Sequence, residues 1–339
     1  MFLHSEITKT IACIAMLLTM SIVGKSASPI VIAHRGASGY LPEHTLEAKA
    51  LAHAMGADFL EQDLVLSKDD IPVVLHDIFI DTVTDVASRF PSRQRDDGRY
   101  YALDFTVAEL KQLQVTERIN AQTRKAVFPG RFPEAKSAFQ IPTLEEELEF
   151  IAGLNKSTGR VVGIYPEIKQ PAWHRKQGRN ISRIVLTILE RHGYRTKKDP
   201  CWVQCFEYTE IKRIREEFGW QGRLVMLLGS SKGEDGIDYE LLRTVGRMSE
   251  LAKWVDGIGP PLSSIFSRTN DGDHRITTLV NDAHACNLVV HPYTVRADEL
   301  PKNVVSIEEL HRLLFVEAGV DGVFTDFPDK TVAFVRAIH

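Results

Sequence analysis

The sequence lacks a hydrophobic run long enough to cross a bilayer: its apolar N-terminal stretch, residues 11–23, is thirteen residues long, against the roughly 20 a spanning helix needs. Small residues follow at Gly24, Ser26, Ala27 and Ser28. Residues 1–28 are therefore expected to be a cleaved secretory signal peptide, which implies a periplasmic or secreted protein with no stable membrane insertion after cleavage. Cysteine is scarce. Of the 4 in the chain, Cys13 would leave with the signal, and Cys201, Cys205 and Cys286 are an odd set that argues against a disulfide framework. In "CWVQCF", strand geometry would hold Cys201 and Cys205 about 13 Å apart, beyond the roughly 7 Å a bridge tolerates. With no second pair to complete a metal site, buried thiols are the expectation. Positive charge is not in excess either: 41 Lys and Arg stand against 45 Asp and Glu, a formal charge of −4, and no basic, aromatic-studded tract suggests nucleic-acid binding. Low-complexity tracts, repeats and linkers are missing too, so a single folded domain is expected over residues 29–339.

Eight short β-rich runs are present instead: "IVIAH" (30–34), "DFLEQDLVL" (58–66), "VVGIYPEI" (161–168), "WVQCF" (202–206), "RLVMLL" (223–228), "WVDGIG" (254–259), "LVVHPY" (288–293) and "DGVFTD" (321–326). Segments of helical period occupy 45–55, 143–154, 181–192, 208–218, 239–251, 276–286, 307–318 and 330–338. Eight strands alternating with helices predict an α/β fold of the (β/α)8 TIM-barrel type. No G-x-G-x-x-G follows the first run, which disfavours an open doubly wound sheet. After the second run, "SKDD" is too short to hold a crossover helix, so "IPVVLHD" must return as a β-hairpin and bring His76 close to Glu61 and Gln62. Residues 78–141 contain no barrel strand and read as an insertion capping the barrel mouth, with a short helix at 107–113.

In barrels of this kind catalytic groups sit where strands end and the strand–helix loops begin. Those ends carry His34 and Arg35, Glu61 and Asp63, Glu167 and Lys169, Phe206, His291 and Tyr293, and Asp326. Glu61 and Asp63 lie two apart and so share one face of their strand. Buried side by side, two carboxylates need a neutralising cation, and Glu167 offers a third oxygen donor. Three carboxylates without a thiol suit a hard divalent ion, Ca²⁺ or Mg²⁺, with Ca²⁺ placed first. The alternative is a rim network in which the acids pair with Arg35 and Lys169 and bind no metal. Arg35 and Lys169 beside such a site suit a phosphate or phosphodiester anion. His34 and His76 converge there from different elements, as a pair able to give and take protons near neutrality.

Taken in order, "AHRGASGYLPEHT", "EQDLVLSKDD", "VVLHD", "YPEIK", "VHPYTVR" and "FTDFPDK" resemble the glycerophosphodiester phosphodiesterase family, and most its periplasmic bacterial branch, from about residue 30 to the C-terminus. The resemblance implies a metal-dependent barrel hydrolase that releases sn-glycerol 3-phosphate and an alcohol from small deacylated phospholipids such as glycerophosphocholine or glycerophosphoethanolamine. By motif it gives His34 and His76 as acid/base residues, Glu61, Asp63 and Glu167 as ligands of one divalent cation, and Arg35 and Lys169 as phosphate contacts. Phe206 and Tyr293 would line the substrate. A phospholipase C or D acting on intact lipids, and a binding protein without turnover, are the competing expectations. The Arg- and Asp-rich stretch 86–100 favours small soluble diesters over a bilayer.

Overall fold

Labelled in chain order, the strands are β1 (Ile30–Ala33), β2 (Phe59–Leu66), β3 (Pro72–Val74), β4 (Gly163–Ile168), β5 (Trp202–Cys205), β6 (Arg223–Leu227), β7 (Gly257–Gly259), β8 (Phe266–Arg268), β9 (His274–Ile276), β10 (Val289–Val290) and β11 (Gly322–Thr325). They belong to a computed structural model that describes residues 28–230, 232–233, 235–268 and 274–338; apart from Ser28, the expected signal segment lies outside the described residues. Parallel pairing runs in the order β10-β7-β6-β5-β4-β2-β1-β11. Backbone hydrogen bonds from Asp321 N to Val290 O (3.1 Å) and from Phe324 N to Pro292 O (3.0 Å) join the two ends of that row. The result is the expected barrel of eight parallel strands with helices between them.

Period-two alternation sorts the side chains of these strands. Ile32, Phe59, Tyr165, Trp202, Val225 and Phe324 point inward and form an apolar plug. Leu60, Leu64 and Leu66 point outward and join Leu144, Leu148, Ile151, Val185 and Leu189 of the helical layer in the main core. Each such leucine contributes roughly 1.5–3 kcal/mol by leaving water. Gln62 is the polar exception on the outward face of β2. Fully buried, it donates to Glu147 Oε1 at 2.7 Å, and Lys49 Nζ meets the same oxygen at 2.5 Å while also reaching the Glu61 carbonyl.

The hairpin return forms as expected. β3 pairs antiparallel with β2, Leu64 opposite Val74, and Leu75 N continues the pairing onto Asp63 O at 2.9 Å, so His76 arrives level with the inward carboxylates. Residues 78–141 build an apolar cluster in which Ile80, Val86, Phe105 and Leu110 pack with Val73 and Leu75 of the hairpin. The short helix within them covers Val107–Leu110 and starts at a Thr106/Glu109 capping box.

Three expectations are corrected. The helix expected over 239–251 is two, Tyr239–Leu242 and Val245–Leu251, because Thr244 is extended (φ −76°, ψ 144°) and starts the second. The one expected over 276–286 begins only at Leu279, since Ile276 is taken up in the β8–β9 hairpin. His291 is not at the mouth: it continues the β10 pairing through its N–H to Ile258 O (2.9 Å), so the turn comes later. The imidazole instead joins the plug, 2.9 Å from Tyr165 Oη and 5.3 Å, centroid to centroid, from Trp202.

Candidate active site

Strand β1 stops at Ala33, one residue short of the expected end, because the chain turns at once through two left-handed residues, Arg35 (φ 58°) and Gly36 (φ 90°). A Cβ on Gly36 would lie 2.8 Å from the Ala48 carbonyl carbon, so only glycine fits. The strained Arg35 backbone, a conformation that costs about 1–3 kcal/mol, is held by its N–H on Glu61 Oε2 at 2.8 Å. This turn aims His34 inward. Its Nδ1 meets Asp326 Oδ1 at 2.6 Å, and its Nε2 lies 3.8 Å from Glu61 Oε2.

Glu61, Asp63 and Glu167 present carboxylate oxygens that all lie within 4.8 Å of one another. The β2–β4 register causes this, for it sets Asp63 directly beside Glu167. All three are buried. Burial first, then repulsion from Asp63 and Glu167, pushes the Glu61 carboxyl well above its usual range. Burial likewise pushes Glu167 up to about 8, with Lys169 opposing and Asp63 reinforcing the shift. Asp63 goes the other way: burial is outweighed by Lys169 and by His44, whose Nε2 lies 2.7 Å from Asp63 Oδ2. Asp63 Oδ1 and Gln204 Oε1 are buried without a hydrogen-bond partner. Crowded carboxylates and orphaned oxygens are a donor set that fits a hard divalent cation.

Lys169 Nζ is 2.8 Å from Glu167 Oε1 and 3.9 Å from Asp63 Oδ1. Arg35 is 2.9 Å from Glu43 Oε2 through Nη1, while its buried Nε has no hydrogen-bond partner. His76 hydrogen-bonds Asp77 Oδ1 through Nδ1 at 2.8 Å. Burial, followed by the neighbouring cations, holds both imidazoles neutral: His34 is lowered to about 4 and His76 to about 3. The nine site residues named from the sequence line one pocket of about 150 Å³. A second chamber of about 270 Å³, which shares His76, Glu167, Lys169 and Phe206 with the first, opens beside it toward Tyr239 and Glu207. Tyr293 is fixed at the rim by its hydroxyl on Leu228 O (2.8 Å), its ring 6.0 Å from that of Phe206.

Sequence reasoning missed the residues that hold these groups. The strand pattern puts Asp326 at a strand end without giving it a role, and it does not single out Glu43, His44, Asp77 or Gln204. A sequence signal is present for three of them, since Glu43 and His44 lie in "YLPEHT" and Asp77 follows His76 directly. Cys201 and Cys205 are buried free thiols, as expected.

The chain matches the Glycerophosphoryl diester phosphodiesterase family over residues 34–330. It is 44% identical over 328 residues to a glycerophosphodiester phosphodiesterase of Haemophilus influenzae, covering 91% of this chain and 90% of that one. A protein of the same name from Treponema pallidum is 36% identical, with coverage of 93% and 94%. Among solved structures, an Oleispira antarctica phosphodiesterase in complex with the product sn-glycerol-3-phosphate superposes with a TM-score of 0.63 at 23% identity, covering 91% of this chain and 97% of that one.

Proposed function

The chain belongs to the glycerophosphoryl diester phosphodiesterase family and is an enzyme of that activity, and from this premise we propose a divalent-cation-dependent hydrolysis of small glycerophosphodiesters to sn-glycerol 3-phosphate and an alcohol by a pair of histidines. The observation that carries the reading is the convergence of three buried carboxylates, two cations and two imidazoles on one pocket. A cation held by Glu61, Asp63 and Glu167 supplies positive charge to the phosphoryl oxygens as negative charge builds on them; Ca²⁺ is placed ahead of Mg²⁺. Arg35 and Lys169 bind and orient the phosphodiester. The anion in turn offsets their charge, which raises the proton affinity of both imidazoles and lets His76 carry the proton its role requires.

His34 is assigned as base. With Nδ1–H given to Asp326, its Nε2 is left to take a proton from the nucleophile, either water or the substrate's own 2-hydroxyl. His76 lines both chambers and is assigned as the acid that protonates the departing alcohol. Phe206 and Tyr293 line the path of the substrate. Small soluble diesters are favoured over intact lipids because Arg89, Arg93, Arg95 and Arg99 are ion-paired with Asp85, Glu109, Asp104 and Asp81, which makes 86–100 polar rather than a membrane-seeking surface. Among the described residues no helix is long and apolar enough to cross a membrane; export with loss of residues 1–28 is the proposed route to a periplasmic or secreted location.

The test is incubation of purified protein with glycerophosphocholine, and separately with intact phosphatidylcholine vesicles, with and without chelator, reading glycerol 3-phosphate by a coupled dehydrogenase and the vesicle arm by phosphate-containing products. Glycerol 3-phosphate that disappears on chelation and returns with added Ca²⁺ supports the reading. Product that survives full chelation refutes the metal assignment, and turnover confined to vesicles refutes the substrate class.

A further inference from the structure

We infer that Arg118 and Arg131, both carried by the insertion 78–141, are positioning residues, each clamping the carboxylate that orients one of the two catalytic histidines. The insertion is then a working part of the catalytic apparatus as well as a cover over it. The inference rests on the acid/base reading of His34 and His76.

Each aspartate divides its two oxygens in the same way. Asp77 gives Oδ1 to His76 Nδ1 (2.8 Å) and Oδ2 to Arg118 Nη1 (2.6 Å). Asp326 gives Oδ1 to His34 Nδ1 (2.6 Å) and Oδ2 to Arg131 Nη2 (2.7 Å). An ionised carboxylate only accepts, so Nδ1 of either ring must carry a proton and Nε2 is the nitrogen turned to the site, as a lone pair on His34, the base, and protonated on His76, the acid. A guanidinium on the second oxygen stops the carboxylate from rotating and keeps it charged. Both arginines are anchored a second time. Arg118 forks onto Glu43 through Nε (2.9 Å) and Nη2 (2.6 Å). Arg131 forks onto Asp298 through Nε (2.8 Å) and Nη2 (3.1 Å). Lysine cannot reproduce either two-sided grip.

The two arginines carry different signatures. Asp326 Oδ2 also accepts from Arg296 Nε at 2.9 Å, so loss of Arg131 leaves the carboxylate charged and held by one guanidinium, loosened rather than released, and the loss of kcat is expected at the low end of the range such partners show. Glu43 is shared between Arg118 and Arg35 Nη1 (2.9 Å). Without Arg118, Glu43 holds Arg35 more tightly away from an incoming phosphate, so KM rises as well.

The experiment measures kcat and KM on glycerophosphocholine for Arg118→Ala, Arg131→Ala and the two Arg→Lys variants, with Ca²⁺ saturating, and records histidine ¹⁵N spectra of each. Outer-shell partners of this kind are worth about 10–100-fold in activity. The expected result is a loss of kcat in that range for both alanine variants, with KM raised only in Arg118→Ala. The uniform Nδ1–H signature should blur for His76 alone in the Arg118 variants and for His34 alone in the Arg131 variants. Free guanidinium should restore turnover to the alanine variants, which an unfolded chain would not allow. Where an alanine variant does not fold, the lysine variant gives the same tautomer and kcat readings. Wild-type kcat, or a loss with both tautomer signals unchanged, overturns the inference and leaves the histidine reading standing. If His34→Ala and His76→Ala themselves turn over normally, both fall.

Discussion

At the scale of single residues, the two histidines bear the chemistry and differ in surroundings. His34 has 10% of its side chain exposed and is tied to the deeply buried Asp326, whereas His76 is 30% exposed and tied to an equally accessible Asp77. Positioned acid/base groups contribute about 10²–10⁴-fold to rate. Replacing either histidine with alanine should therefore lower kcat by that factor while far-UV circular dichroism and the unfolding midpoint stay close to wild type; near-normal turnover in either variant would remove its assigned role. Gly36 carries a different prediction. A methyl there meets Ala48 backbone at 2.8 Å in a left-handed conformation, so Gly36→Ala should destabilise by about 1–3 kcal/mol, read as a lower denaturant midpoint, and should reduce activity by shifting the Arg35 N–H from Glu61. His34, Glu61 and Asp63 were legible in the sequence because strand period fixes which face a side chain takes. The role of Asp326 was not, because it depends on a hydrogen bond closed over the 292 residues that separate it from His34; Glu43 and His44 lie in a readable motif, but which groups they hold is set by the tertiary contacts to Arg118 and Asp63.

Elements show where local pattern suffices. The eight strand runs and the hairpin return were readable because parallel strands alternate with helices and a four-residue connection has few geometries. Thr244 splits an expected helix through one extended residue, and Ile276 enters a hairpin by pairing with Phe266; a helical period registers neither. The helix Leu144–Thr158 lends itself to a direct test. Its capping box joins Thr143 and Glu146, and the helix carries Glu147 onto Gln62 and Lys49 behind the site. Thr143→Ala should cost about 0.5–2 kcal/mol of stability with kcat unchanged, because the helix is docked by Leu144, Leu148 and Ile151 independently of its cap. A kcat that falls in step with stability would mean that Glu147 transmits the cap to β2.

For the whole molecule, metal, protons and folding stability are linked through the carboxylate cluster. In the metal-free protein Glu167 is raised to about 8 and Glu61 is raised well above its usual value, while both titrate in the unfolded chain near about 4.3. Through these two carboxyls the folded state binds more protons than the unfolded one between those limits, and their contribution to stability falls as pH rises through this window, against the opposite contribution of the buried histidines, which are lowered from 6.5. A divalent cation must displace the same protons, so its apparent affinity rises over the same interval. The expected outcome is that Ca²⁺ raises Tm more at pH 8 than at pH 5, by an amount that grows with ion concentration as mass action requires. Glu167→Gln removes one charge from the cluster and should both flatten the pH dependence of the metal-free protein and weaken the ion's effect. Thermal unfolding at the two pH values, with and without chelator, measures all of these at once, and an ion effect that is the same at pH 5 and pH 8 would separate the ion from Glu61, Asp63 and Glu167.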